Sequence, residues 1–592
     1  MARNKYNVDE ELDAPFSFKQ LKRGLAYVVP YKKNLLISFT CAVISIVLGL
    51  LTPMFIQFVI DDLIPGRKIS LLVAYSLGFA CLLIIIVLCN RTRSRYNTLT
   101  GQSVITDIRK GLFTHLQNLS FDYYDSRPHG KILVRVVNYV NSVADFLSNG
   151  MVNSLLELIS LVFITVYMFI VSPRLAVVIL AGLPVFAVYV FITKPIQRRS
   201  WQRLSNKQSN TTAYLAENIN GVRVTQAFAR QGYNGEIFNS LLTDTRRAWM
   251  KAIYLIHGMW PVTSLLQSLV TAAIYTAAVY LYRDTVSVGT VIAMAAYAGR
   301  FWGPIQNLGN IYNSLISTVA YLERIFQVLD EPVTIRDKPG AAELGAISGR
   351  VEFDRVIFEY EPGRPVLKDV SFTVEPGESI ALVGPTGAGK STIISLLSRF
   401  YDLNSGSIRV DGQDISEVTL NSLRRQMGIM LQDTFVFSGS YMSNIRYGRL
   451  DATDEECVAS AKAVYADSFI AALPEGYITQ ISERGEGLSS GQKQLLSFAR
   501  TMLADPRILI LDEATSSIDT NTEMLVQEGI ARMLRGRTSF IVAHRLSTIK
   551  NCTRILYIAD GGIAEMGSHK ELMEKRGLYY QLYMSQIVRE DG

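Results

Sequence analysis

Hydrophobic residues are unevenly distributed along the chain. Before residue 320 they gather into six long apolar stretches, at roughly 34–60, 71–89, 154–173, 175–194, 253–282 and 286–315. Each is close to the ~20 mostly apolar residues that a membrane-crossing helix needs. The sixth is the most polar, because VIAMAAYAGRFWGPIQNLGNIYN carries Arg300, Gln306 and three asparagines. Connections after the first, third and fifth stretches are short (IPGRK, SPR, RDTV), whereas those after the second and fourth are long. The long loops therefore share one side of a membrane. Lys32 and Lys33 precede the first stretch, Arg91, Arg93 and Arg95 follow the second, and Lys194, Arg198, Arg199 and Arg203 follow the fourth. By the positive-inside bias these flanks are cytoplasmic.

Proline is absent between Pro65 and Pro128 and between Pro195 and Pro261. With that interrupter missing, the second and fourth helices are expected to run on past the bilayer. A further 30 residues would reach about 45 Å at the helical rise. Such length suits a device that transmits motion from outside the membrane.

The pattern then changes. Pro332, Pro339 and several glycines mark a linker, and the alternation in RVEFDRVIFEY and VSFTV announces strands. The expected organisation is a cytoplasmic N-terminal segment (1–33), a six-helix all-α transmembrane domain with long cytoplasmic helical extensions (34–320), a linker (321–345) and an α/β domain (346–592).

Composition agrees with a membrane half and a water-soluble half. The chain has 592 residues, 49% of them apolar and 19% charged. Its formal charge of +7 is spread out rather than forming a basic run, so a membrane surface explains it better than nucleic acid. The five cysteines have no close pair and no metal-ligand spacing. The opening MARNKYNVDEELDAPFSFKQ is polar and acidic, without the apolar core of a cleaved signal peptide.

Two motifs carry chemistry. SIALVGPTGAGKSTIISLLSRF reads as strand, glycine-rich turn and helix, with G-x-x-x-x-G-K-S from Gly384 to Ser391. In the candidate phosphate-binding loop Gly384, Pro385, Thr386, Gly387, Ala388 and Gly389 the glycines let backbone N–H groups approach phosphates, Lys390 reaches the β and γ groups, and Ser391 offers a hydroxyl to Mg²⁺, with Thr392 next in the helix. ILILDEATS is a buried strand ending in Asp512, suited to hold Mg²⁺ through water, and Glu513, placed to polarise the attacking water.

These motifs, in this order, resemble the nucleotide-binding domain of ATP-binding cassette (ABC) transporters, and the six stretches ahead of them resemble the exporter type, fused as a half-transporter. The fold class implied is a multidomain membrane protein whose helical domain precedes an α/β P-loop ATPase (ABC) domain. The resemblance implies further roles. Tyr360 matches the aromatic that stacks on adenine. Gln432 in MLQDTFVFSGS matches the glutamine that touches Mg²⁺ and the attacking water. His544 in VAHRLST matches the switch histidine at the γ-phosphate, and Asp519 belongs to the loop facing the other cassette.

LSSGQ at 488–492 corresponds to the family signature, usually LSGGQ, which caps ATP held by the partner cassette. Ser489, Gly491 and Gln492 match, and Ser490 replaces a glycine. In YITQISERGEG, Glu483, Arg484 and Gly485 fit the neighbouring exporter pattern, whereas Gln480 replaces its acidic residue. FDYYDSRPHGKILVRVVNYVNSV and AENINGVRVTQAF resemble the two coupling segments of exporters.

What the resemblance implies is a multi-pass protein of a bacterial plasma membrane, its N-terminus and cassette cytoplasmic. It would use ATP and Mg²⁺ as a homodimer or as a heterodimer with a related half-transporter, coupling ATP hydrolysis to export of amphipathic small molecules, lipids or peptides. A lipid flippase, or an ATP-gated regulatory or channel module, is the alternative. Ionisable groups at membrane depth usually face a bundle interior, so Glu157 in the third stretch and Arg300 in the sixth are candidates for the substrate pathway.

Overall fold

The computed structural model describes residues 18–67, 69–127, 129–282, 285–430, 434–512, 520–542 and 546–590. The chain divides into two compact units: residues 1–117 with 129–331, and residues 118–128 with 332–592.

The first unit is helical. Among the described residues, five helices are long and apolar enough to cross a membrane: Val29–Leu63, Ile69–Asn118, Ile132–Val171, Pro173–Asn220 and Pro261–Tyr280. The helix Ile69–Asn118 has 50 residues, about 75 Å of rise against a hydrocarbon core of about 30 Å. The long continuations expected after the second and fourth stretches are thus present.

A further helix, Val288–Leu329, has 42 residues but falls short of the apolarity of a span, as its arginine, glutamine and asparagines dictate. It nonetheless supplies Met294, Tyr297, Phe301 and Trp302 to the same buried core as Met168, Ile179 and Ile274. Leu77, Ile84, Val162 and Phe191 point outward, a cost in water and a gain in lipid.

One proline explains two polar residues of Val288–Leu329. Pro53 lies inside the helix Lys32–Phe58. It has no N–H to give the carbonyl four residues back, at Gly49, and its ring crowds that turn. The Arg300 guanidinium donates to the Gly49 carbonyl oxygen, and the Tyr297 hydroxyl donates to that of Leu50 at 2.6 Å. The Gly49 carbonyl that Pro53 leaves without its helical donor, and the Leu50 carbonyl next to it, are both met from the neighbouring helix. Replacing Arg300 by Met should therefore cost about 1–2 kcal/mol. In a Pro53→Ala background, where an N–H is restored, that penalty should largely vanish. Thermal unfolding of the four proteins in detergent gives the comparison, and an equal penalty in both backgrounds would refute the link.

The second unit is built on a six-stranded sheet ordered Gly562–Gly567, Arg554–Ala559, Ser379–Val383, Thr538–Val542, Ile508–Asp512 and Met427–Met430. The first pair is antiparallel and the remaining pairs are parallel. The parallel strands are covered on both faces, so they read as unbroken apolar runs such as ILIL at 508–511. A second, antiparallel sheet orders Pro365–Val374, Val351–Glu359, Ser405–Val410 and Gln413–Asp414. Its strand Val351–Glu359 has the half-buried alternation seen in RVEFDRVIFEY.

Residues 118–128, which join two membrane helices along the chain, pack as part of this second unit. The Phe121 ring lies 4.4 Å from that of Phe400, the Arg424 guanidinium covers the other ring at 5.2 Å, and the Tyr401 hydroxyl donates to Asp125. Burial first, then the Asp125 carboxylate, raises the phenol pKa of Tyr401, so it remains a donor.

Candidate functional site

In open sheets with parallel strands, ligands bind beyond the carboxyl ends of the strands. Residues 384–389 leave the end of Ser379–Val383 and lead into the helix Lys390–Leu397, whose N-cap is Gly389. Gly384, Gly387 and Gly389 have φ of +143°, +82° and +106°. A side chain on Gly384 would place its Cβ 2.1 Å from the Ile558 carbonyl oxygen. The loop therefore needs glycine there for conformation and for closeness to the neighbouring strand.

Pro385, Thr386, Gly387 and Ser391 are exposed, whereas Ala388, Gly389, Lys390 and Thr392 are buried. The Lys390 ammonium donates to the carbonyls of Gly384 at 2.8 Å and Pro385 at 2.9 Å, which ties its charge to the loop. Its burial lowers the pKa, and the Asp512 carboxylate works in the opposite direction. Lys390 and Asp512 thus share one electrostatic site. The Tyr360 hydroxyl is 3.3 Å from Thr392 Oγ1, and its ring is about half exposed, so an aromatic face stands beside the start of the phosphate-loop helix. A glycine cradle, a tethered lysine and an open aromatic fit a nucleoside triphosphate.

The ends of the central strands are in register. Asp512 ends its strand opposite Val542 in register, and Met430, at the end of its own strand, is paired with Leu511. Glu513 follows Asp512 directly, His544 comes two residues after Val542, and Gln432 two after Met430. Gln432, Glu513, Asp519 and His544 themselves lie outside the described residues. Among the described residues no group of three His, Cys, Asp or Glu forms a metal cage. Ser391 and Asp512 instead offer the sparse oxygen donors that suit Mg²⁺ shared with phosphates.

The signature segment opens the helix Ser490–Ala504. Ser489 is its N-cap: the hydroxyl oxygen accepts from the Gln492 backbone N–H at 3.2 Å, and the Gln492 side chain accepts from the Ser489 N–H at 3.0 Å. The hydroxyl proton of Ser489 is not used by this capping box and points no obligation back to its own helix. Ser489 and Ser490 are exposed and Gly491 is buried. Ser490 is the first helical residue and is absent from the left-handed positions. A serine serves there as well as a glycine, so the departure from LSGGQ brings no backbone strain.

In the helical unit, a cavity of about 460 Å³ is lined by Arg93, Asn153, Glu157 and Asn307 together with apolar Ile46 and Leu156. The Asn307 amide donates to Glu157 at 2.9 Å. Glu157, singled out by its depth in the third stretch, thus lines a cavity. Arg300 is not among its lining residues and instead meets the Gly49 carbonyl. Arg93, which the sequence offered as an orientation flank, is a lining residue. A helical signal for it exists: Asn97, four residues on, is buried and accepts from the Ser38 hydroxyl at 2.5 Å.

The ABC transporter transmembrane region family matches residues 35–305, and the ABC transporter family matches residues 367–516. An uncharacterised ABC transporter ATP-binding protein of Bacillus subtilis (strain 168), YknV, is 42% identical over 585 residues, 98% of this chain and 97% of the relative. The fatty acid ABC transporter ATP-binding/permease protein of Mycobacterium tuberculosis is 37% identical over 533 residues, 88% of this chain and 83% of the relative. The solved structure of a bacterial Atm1-family ABC exporter with ATP bound aligns with a TM-score of 0.73 and 28% identity, covering 96% of this chain and 98% of that one. With both regions fused in one polypeptide, and relatives matched over nearly their whole length, the chain belongs to the ABC transporter family, as an exporter-type half-transporter that couples ATP hydrolysis to transport.

Proposed function

We propose that the protein is a homodimeric exporter of amphipathic molecules, with residues 34–320 as six-helix membrane domain, 321–345 as linker and 346–592 as cytoplasmic ATPase domain. Two ATP molecules lie between the cassettes, each held by one copy's phosphate loop and met by the other's Ser489–Gln492. The exposed capping box supports this, because Ser489 keeps a hydroxyl proton to donate while its helix start favours an anion. Tyr360 stacks on the base, and Gln432 and Glu513 position and polarise the attacking water. His544 and Asp519 answer to the γ-phosphate and to the opposite cassette. Ser391, Gln432 and Asp512 would hold Mg²⁺, which would supply neutralisation of the phosphate charge. This chain supplies every one of these side chains, which favours two equal sites over a degraded partner. The Lys and Arg flanks support an N-terminus and a cassette in the cytoplasm.

The observation that carries the substrate class is the mixed lining of the cavity, where Glu157, Asn307 and Arg93 face Ile46 and Leu156. Such a lining suits a molecule with a polar head and an apolar body. The relative named as a fatty acid transporter makes a lipid-like molecule the first to try. Inverted vesicles carrying this chain alone should accumulate a fluorescent fatty acid when ATP is added. Glu157→Ala should change the half-saturating substrate concentration by about tenfold with basal ATPase retained. Basal ATPase without uptake of fatty acid, cationic amphiphile or apolar peptide would overturn the export reading.

A further inference from the structure

A second recess lies lower on the helical unit, between the continuations of the fourth and fifth spans. The helices Gly182–Asn220 and Gln231–His257 pack through Leu204, Ala248 and Ala252, where two alanines let the backbones approach. Gln197 fixes their register by donating to the Leu255 carbonyl at 2.8 Å, and Thr211 and Thr245 share a hydrogen bond of 2.9 Å. Above this contact is a cleft of about 390 Å³.

Arg199, Arg203 and Lys207, at intervals of four residues, line one wall; Arg247 and Lys251, again four apart, line the other. The single carboxylate among them, Asp244, lies 3.9 Å from Lys207 and 3.8 Å from Arg247. Five cations thus face one acid. Like charges one helical turn apart repel, and the rigid helix pair prevents them from spreading, so the cleft gains by taking an anion.

Its level in the membrane identifies the anion. Phe191, Ile192 and Ile196 are exposed apolar residues on the same helix, and Arg199 comes one turn after the last of them. Trp201 and Trp249, next along the chain to the lining residues Ser200 and Ala248, and Tyr254, three residues after Lys251, are also exposed, as aromatics are at a membrane–water boundary. A lipid whose chains cover the Phe191 surface would bring its phosphate to Arg199 and Arg203. We propose that this cleft binds the phosphate headgroup of an anionic phospholipid from the leaflet at that boundary. Basic pockets between membrane helices are suited to such headgroups.

The test uses the full chain purified in detergent, titrated with phosphatidylglycerol, phosphatidylcholine or inorganic phosphate, and follows the unfolding temperature and the mass of lipid-bound species. Phosphatidylglycerol should bind and raise the unfolding temperature, phosphatidylcholine much less. The double variant Arg203→Gln with Lys251→Gln should lose about ten- to thirtyfold in lipid affinity. The charge-keeping pair Arg203→Lys with Lys251→Arg should retain it, which separates loss of charge from loss of fold. Equal response to both lipids, an unchanged response in the Gln variant, or an equal effect of inorganic phosphate would overturn the proposal. So would dissociation of the dimer in the Gln variant alone, which would assign the cleft to subunit contact. Basal ATPase activity is independent of all these outcomes, so failure here leaves the export reading standing.

Discussion

Glu513→Gln is expected to lower ATP turnover by about 10²–10⁴-fold, the usual contribution of a positioned base, while leaving ATP binding intact. The amide keeps the shape of the side chain but gives the attacking water no negative oxygen to lean on. In the proposed site, binding rests elsewhere, on the glycine loop, on Lys390 with its two carbonyl contacts, and on the Tyr360 ring beside Thr392. Phosphate release and fluorescent-nucleotide binding on the same preparation separate the two effects. The variant should also accumulate as an ATP-bound dimer in mass photometry, since closure without turnover has no route back. Near-normal turnover would remove Glu513 from its assigned role, and a monomer that still turned over ATP would remove the shared site.

The second large effect lies in the phosphate loop, where two glycines with the same sequence appearance should behave differently. At Gly384 an added methyl meets the Ile558 carbonyl oxygen at 2.1 Å and the backbone sits at φ +143°. Neither partner is a flexible side chain that could yield. Gly384→Ala should cost the ATPase unit about 2–5 kcal/mol, combining the left-handed penalty with overpacking, and ATP affinity should fall with the distorted loop. At Gly387, φ is +82° but a methyl meets nothing within 4 Å, so the alanine there should cost only about 1–2 kcal/mol. Differential scanning calorimetry of the full chain, following the transition that ATP shifts, ranks the two; the reverse order would contradict the loop geometry.

Elements with a strong local signal were legible in the sequence. The phosphate loop needs glycines and a lysine at fixed offsets. A buried parallel strand needs an apolar run, and a proline-free run lets a helix continue past the bilayer. The 50 residues of Ile69–Asn118 follow from that last point. Where polar residues answer a partner far along the chain, the sequence was less informative. Arg300 reads as a pathway residue by depth alone, yet its guanidinium meets a carbonyl freed by Pro53, on a helix some 250 residues earlier. That pairing depends on how two helices pack, which periodicity does not encode. Arg93 has the opposite history: its neighbours Arg91 and Arg95 set a charge bias, which concealed the one of the three that lines a cavity. Ser490 departs from the usual signature glycine, and only its place as first residue of a capped helix shows that the change brings no backbone strain.

The packing of residues 118–128 within the ATPase unit sets a timetable for biogenesis. Asp125 and Tyr401 are separated by 276 residues, so at 5–20 residues per second the segment leaves the ribosome about 14–55 s before its partner exists. Throughout that interval Phe121 has no Phe400 to cover it. The nascent chain therefore displays a short aromatic surface while three or more membrane helices are still being inserted. Chaperones that recognise such surfaces have their natural opportunity here, and the end of the wait comes only when the ATPase unit folds onto a segment that was already in place.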